Sequence, residues 1–444
     1  MKHHDLKTNR FRWLAACLAG LVTAAMIAGT PQGIAASSAH TSAQSRLCHP
    51  ADDPGVISDW NATAVATLVT DALRSPAESY VYFGFVHTAM HNAVNGITGY
   101  YNLYKWGVHG RRCASPEAAA ASAAYHLLLN YFPDSKPRLD SAYAASLAGV
   151  PDGWAENVGV RYGKRAAQRI IDLRADDGRY APLEFTKPPG PGVWRPTADP
   201  PVPFSTPWLS QMTPLVLNAS DQFRPGPPPA LNSAKYTREY REVKRLGGDD
   251  ITTPSARTDK QTQTAKFFSD IGVGGLQAAL RDLVTRRGMN ISDSARLFAV
   301  ADVAACDAFV AAWDAKFHYG FWRPVTAIHL ANTDCNPATR RDTAWTSLIA
   351  SPPYPDYTSG LNTAVGSLSR AVARVLDTNR IDLFITSVAA GETRHYRWAG
   401  PINRDAIDAR VWSGLHFRTA DVVGNHTAQA IATRVFHHAF RPAN

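Results

Sequence analysis

Residues Trp313 to Ile328 read WDAKFHYGFWRPVTAI, and this stretch decides how the rest of the chain is understood. Lys316 and Arg323 stand seven residues apart, with Pro324 directly behind the arginine. Seven residues are two helical turns, so a continuous helix would set both cations on one face, about 10 Å apart along the axis. A proline pushes the residue before it out of helical geometry. The stretch therefore predicts a helix that delivers Lys316 and a break near Gly320 that swings Arg323 to the same point. Phe317, Tyr319, Phe321 and Trp322 surround the two cations in sequence. Taken alone, the pair reads equally well as ordinary surface charge.

Two later stretches shift that balance. Pro352 to Asn362, PPYPDYTSGLN, runs into the helical-looking TAVGSLSRAVARVL. Ala409 to Arg418, ARVWSGLHFR, holds Arg410 and His416. Together they add a glycine loop opening a helix, a third cation and an imidazole. Lys316, Arg323 and Arg410 would surround a tetrahedral oxyanion with positive charge, and the planar guanidinium suits adjacent oxygens. Backbone N–H groups around Ser359 and Gly360 would face the anion, because a helix N-terminus favours negative charge. Neutral His416 could bond a metal centre or attack phosphorus.

The order K-x6-R-P, then an S-G loop, then R-x5-H resembles the vanadium-dependent haloperoxidases and the wider type-2 phosphatidic acid phosphatase (PAP2) superfamily. FVHTAMHNAVNGI and PGVWRP resemble the secreted haloperoxidase-like branch, so the resemblance extends over most of the mature chain. It implies a mainly α, multi-helix bundle of the vanadium haloperoxidase/PAP2 type. It implies vanadate as cofactor, with phosphate able to occupy the same site. His416 would ligate vanadium, and Lys316, Arg323, Ser359, Gly360 and Arg410 would hold the oxygens. Lys316 and His416 would be the catalytic residues. Hydrogen peroxide, halide and a small organic substrate would be the partners.

One position departs from the family pattern. The family's loop reads P-S-G-H, and here it reads Thr358-Ser359-Gly360-Leu361. Leucine cannot transfer a proton, and general acid–base help is worth about 10²–10⁴-fold. His318 could stand in, but in a continuous helix it points about 200° away from Lys316. Ala409 stands where the family commonly has serine. Three functions stay open: a peroxide-using haloperoxidase with altered activity, a PAP2-type phosphatase acting through His416, and a family member that binds an oxyanion or catalyses an isomerisation.

The N-terminus reads as a secretory signal. Lys2, Lys7, Arg10 and Arg12 precede the apolar WLAACLAGLVTAAMIAG, with small residues following. Cleavage after Ala36 takes four basic residues and Asp5 from a net charge of +9, leaving +6. The basic residues are dispersed, which disfavours nucleic acid. No later apolar run is long enough to span a bilayer, so no stable membrane insertion is expected after cleavage. Cys48, Cys113, Cys306 and Cys335 remain, and an even number in an exported protein predicts two disulfides of open pairing.

We expect a signal over 1–36, an extension over 37–58 and one helical domain over 59–440. Its parts are a helical half (59–181), a proline-rich belt (182–232) and a half carrying the site (233–440). Residues 182–229 hold fourteen of the thirty prolines, interleaved with Trp194, Phe204, Trp208 and Phe223. That composition predicts an extended belt over the core rather than a helix. Predicted helices run from Ser115 to Phe132, Val158 to Arg174 and Ser233 to Gly247, the last closed by a left-handed glycine. Others start at Ser292, Thr363 and Asp421. Period-2 alternation is scarce, so little strand is expected. His87 and His91, four apart, read as core histidines. Asp314 and Glu392 are candidate counter-ions to the cations.

Overall fold

The computed structural model describes residues 53–443; the predicted signal, Cys17 and Cys48 lie outside them. Among the described residues the chain is mostly helical, with thirteen α-helices and one two-stranded hairpin. The described residues form one compact unit. No helix among the described residues is long and apolar enough to cross a membrane.

The first helices are α1 (Gly55–Val65), α2 (Pro76–Thr98), α3 (Pro116–Tyr131), α4 (Lys136–Ala148) and α5 (Trp154–Leu173). Ser115 caps α3 as its sequence predicts: its Oγ accepts from the Ala118 N–H at 3.0 Å. Behind the belt follow α6 (Ala234–Leu246), α7 (Asp259–Asp270), α8 (Gly272–Arg287), α9 (Ile291–Tyr319) and the short α10 (Pro324–His329). The last are α11 (Gly360–Val375), α12 (Ala399–Trp412) and α13 (Arg418–His438).

Helix α9 is the axis of the molecule. It packs on α2 on one side and on α11 and α13 on the other. It is buried along almost its whole length, as is α2. A helix apolar all round belongs in a core rather than at a surface. Here the two buried helices join the N-terminal bundle to the C-terminal one. Val81, Phe85, Met90 and Val94, all on α2, are fully enclosed.

The proline-rich segment has no regular structure beyond one 3₁₀ turn at Pro207–Gln211. Trp194, Phe204 and Trp208 are buried, so side chains and not a ladder hold the segment. Its backbone is satisfied from α9: the buried Asp307 carboxylate accepts the N–H groups of Leu215, Val216 and Leu217 at 2.6, 2.8 and 2.9 Å. Arg224 reaches Asp314 through two 2.6 Å hydrogen bonds.

Three expectations need correction, while strand is as scarce as expected: among the described residues β1 (Arg380–Ser387) pairs antiparallel with β2 (Glu392–Trp398). Its alternation is plain once located, with Ile381, Leu383, Ile385 and Ser387 facing inward. Cys306 and Cys335 are free, so the second disulfide does not form; Cys113 is disulfide-bonded. Cys306 is enclosed in α9, where no second thiol reaches it. Gly247 does follow α6, but at φ −90°, not left-handed. Its glycine serves close approach instead: a Cβ there would lie 2.5 Å from Gly414 Cα. Finally, Asp314 and Glu392 pair with Arg224 and Arg394, away from the predicted cations.

Candidate functional site: a buried cation cradle

Helix α9 runs unbroken through Lys316 and stops at Gly320, which takes the left-handed C-cap at φ 58°. The chain then turns, and Arg323 becomes the extended residue that precedes α10. The break predicted near Gly320 thus returns Arg323 toward Lys316. Belt atoms hold the turn: Trp194 N–H donates to Gly320 O at 2.7 Å, and Trp322 N–H to Gly192 O at 3.0 Å. His318 points outward, exposed and edge-on to Tyr319, so it offers nothing to the site.

The six predicted site residues come together from four segments, and all of them are buried. Lys316 Nζ donates to the carbonyls of Pro355 and Asp356 at 2.7 and 3.3 Å. Arg323 Nε donates to Tyr354 O, and its Nη1 to Leu415 O, both at 2.9 Å. Both cations lie over the Tyr354 ring, 4.7 and 4.9 Å from its centroid. Arg410 lies in the last turn of α12, and His416 follows in the turn before α13. Arg323 Nη1 sits 3.1 Å from His416 Nε2.

Ser359 and Gly360 open α11, and no side chain caps that helix start. Its first N–H groups therefore have no intrahelical partner. Ser359 is pinned from behind, its N–H donating to Ala420 O at 3.0 Å. The close passage of α13 needs Gly424, where a Cβ would stand 3.0 Å from Ser359 O. Asn362 Nδ2 links Asp421 Oδ1 at 2.9 Å and Ser359 Oγ at 3.3 Å.

Sequence reasoning missed the true counter-ions, Asp356 and Asp421, both fully buried. Asp356 Oδ1 lies 2.8 Å from His416 Nδ1 and 4.0 Å from Arg323 Nη1. The clues were present: an acid three residues before Ser359 and another five after His416. Neither spacing is distinctive without the fold.

Burial dominates the electrostatics. It pulls Lys316 well below the ordinary lysine range, reinforced by Arg323. It lowers Arg323 and Arg410 in the same sense. It drives His416 well below the ordinary imidazole value, with Arg323, Arg410 and Lys316 adding to the effect. The same desolvation raises Asp421 far up, and pushes Asp356 up to about 7 against the pull of Arg323 and Lys316. Three cations face two carboxylates in a dry site, an arrangement short of negative charge.

The donor set fits a tetrahedral oxyanion such as vanadate. Arg323 Nη2 and Arg410 Nε are buried without a hydrogen-bond partner in the protein. Buried donors are rarely left so. A Cβ on Gly360 would meet protein only at ordinary contact distance, 3.7 Å from Phe309. Glycine thus keeps that space open rather than relieving a clash. A cavity of about 170 Å³ adjoins it, lined by Tyr80, Phe309, Trp313, Tyr354, Leu361 and Arg410. Leu361 makes this wall apolar where the family pattern has its histidine.

His87 and His91 have partners within the protein. His87 Nδ1 is 2.7 Å from buried Asp302, and His91 Nε2 is 3.1 Å from Asn102 O. Among the described residues no group of three histidine, cysteine or acidic side chains could hold a metal ion.

The fold and this cradle define a class: helical-bundle proteins that bury a cluster of cations and a histidine beside the start of a helix. The VCPO second helical-bundle domain family matches residues 296–444, the part that holds every cradle residue. Vanadium chloroperoxidase of Curvularia inaequalis is 25% identical over 236 residues, 44% of this chain and 38% of that enzyme's length. A bacterial vanadium-dependent iodoperoxidase superposes with a TM-score of 0.76 at 21% identity, over 88% of this chain and 98% of its own. A holo-type bacterial vanadium-dependent chloroperoxidase gives 0.65 at 20% identity, over 86% and 95%. The chain has the fold of those enzymes.

Proposed function

We propose that this chain is a secreted, vanadate-binding haloperoxidase-like enzyme that uses hydrogen peroxide to oxidise halide and so halogenate a small organic substrate. The observation that carries the reading is the cradle itself. Lys316, Arg323 and Arg410 are buried together beside His416 and the uncapped start of α11. Bound vanadate supplies the centre at which peroxide is activated toward halide. His416 would ligate the vanadium, and Lys316, Arg323, Arg410, Ser359 and the Gly360 N–H would hold the oxygens. The negative charge of the anion restores the full positive charge of Lys316.

Oxidation of halide by peroxide to hypohalous acid and water consumes a proton. Leu361 cannot supply it, so turnover should be slow relative to binding. The same defect weighs against the phosphatase reading, in which the leaving group must be protonated.

Titration calorimetry with vanadate, with phosphate as competitor, tests the cradle. Wild type should bind, and His416→Ala should lose vanadate preferentially. Peroxide-dependent halogenation of monochlorodimedone then separates peroxidase from mere oxyanion binder. Failure to bind either anion would sink the reading.

A further inference from the structure

The cavity that adjoins the cradle has an aromatic wall. Tyr80 of α2 lies against Phe309 of α9, ring centroids 5.1 Å apart and nearly parallel. Phe309 meets Trp313 one turn later at 5.6 Å, and Trp313 meets Tyr354 at 5.0 Å. All four rings line the cavity, and Leu361 joins them beside Gly360. The run of rings ends at the cations, because Lys316 and Arg323 lie over Tyr354. Gly360 and Arg410 border cavity and cradle alike; a Cβ on Gly360 would stand 3.7 Å from Phe309 and 3.8 Å from Trp313. We propose that this cavity is the organic-substrate site and that it takes one uncharged aromatic ring of phenol size. The binding stands on the cavity; calling the ligand a substrate rests on the haloperoxidase reading above.

The volume, about 170 Å³, suits a single ring. An apolar cavity of about 150 Å³ is enough to hold benzene. A ring laid offset or edge-on against other rings gains about 2- to 10-fold in affinity beyond its buried area. The wall is fixed in advance. Trp313 Nε1–H donates to Ser205 O at 3.1 Å, and Phe309 and Trp313 stand on a helix buried along almost its whole length. Leu361 carries the apolar wall up to the cradle. Where the family pattern puts a proton carrier, this chain has a surface on which a ring can lie. The position also suits the reaction, since hypohalous acid formed at the cradle would meet a ring held beside it. Substitution forms a carbon–halogen bond and breaks a C–H bond, and the ring proton leaves with the hydroxide of the hypohalous acid as water. A phenol is electron-rich enough to react in this way.

The test is calorimetric titration of the full chain with phenol at neutral pH, beside cyclohexanol as a non-aromatic ligand of similar size. Phenol should bind saturably at one site, about 2- to 10-fold more tightly than cyclohexanol. Ala364→Met on α11 and Val273→Phe on α8 each push a larger side chain into the cavity from a different wall, and neither residue belongs to the cradle. Both variants should lose phenol and keep vanadate binding. Absence of saturable phenol binding, equal affinity for cyclohexanol, or unchanged phenol binding in the filled variants overturns the proposal. If neither variant folds, the two wild-type titrations still decide. Vanadate binding without phenol binding strikes the cavity alone and leaves the haloperoxidase reading intact. Phenol binding without vanadate binding strikes that reading and, with it, the substrate assignment.

Discussion

Under the proposed haloperoxidase reading, Leu361 is the residue expected to limit turnover. It lines the cavity beside Gly360, at the position that the family resemblance gives to a proton-carrying histidine. Leu361→His should raise peroxide-dependent halogenation by about 10²-fold or more while vanadate affinity stays near the wild-type value. Initial rates beside a calorimetric titration check both halves of that expectation. Arg323 carries a different burden. Its removal leaves Asp356 buried without its nearest cation, and breaking a buried pair by losing one partner costs about 3–5 kcal/mol. Arg323→Ala should therefore lower the urea midpoint strongly besides abolishing anion binding. Asp356 and Asp421 went unseen in the sequence because a lone acid in a loop has no periodic or motif context. Asp314 and Glu392 were named instead, and each proved to serve another arginine.

Among the elements, the proline-rich belt behaves as part of the core. Asp307, inside α9, accepts three consecutive belt N–H groups. Asp307→Ala would leave those amides unpaired, and each unsatisfied buried group costs about 1–3 kcal/mol. The variant should lose on the order of 3 kcal/mol or more by urea unfolding and become sensitive to proteolysis within the belt. Helix α13 is held to the cradle loop at Gly424. Gly424→Ala forces a shift of α13 or of the Ser359 backbone, an overpacking cost of about 1–3 kcal/mol. It should weaken vanadate binding together with stability, which calorimetry on the folded variant would show. The helices themselves were legible from apolar spacing and caps, as at Ser115, and the break at Gly320 from the proline three residues beyond Phe321. The hairpin was not, because a single short alternating run competes poorly with a helical background.

For the molecule as a whole, acid stability follows from a histidine far from the cradle. His91 is enclosed between α2 and the C-terminal segment, edge-on to Phe440. Burial pulls its pKa from 6.5 to about 3. The ring stays neutral in the fold, whereas the unfolded chain takes up a proton below pH 6.5. Stability from this residue is complete above pH 6.5 and is lost as pH falls toward 3, on the order of 5 kcal/mol. Urea unfolding of wild type should steepen below pH 6.5, and His91→Gln should flatten that part of the curve. The sequence by itself determined the helical class and the belt, and its motifs with their family resemblance named the six residues that the fold buries together, because spacing, proline positions and charge are local properties of a chain. The tertiary structure alone decided which carboxylates balance the cations, which cysteines stay free, what Gly247 is for and that His318 faces away. Those outcomes depend on which distant segments meet, and desolvation acts on a charge only after the fold has closed around it.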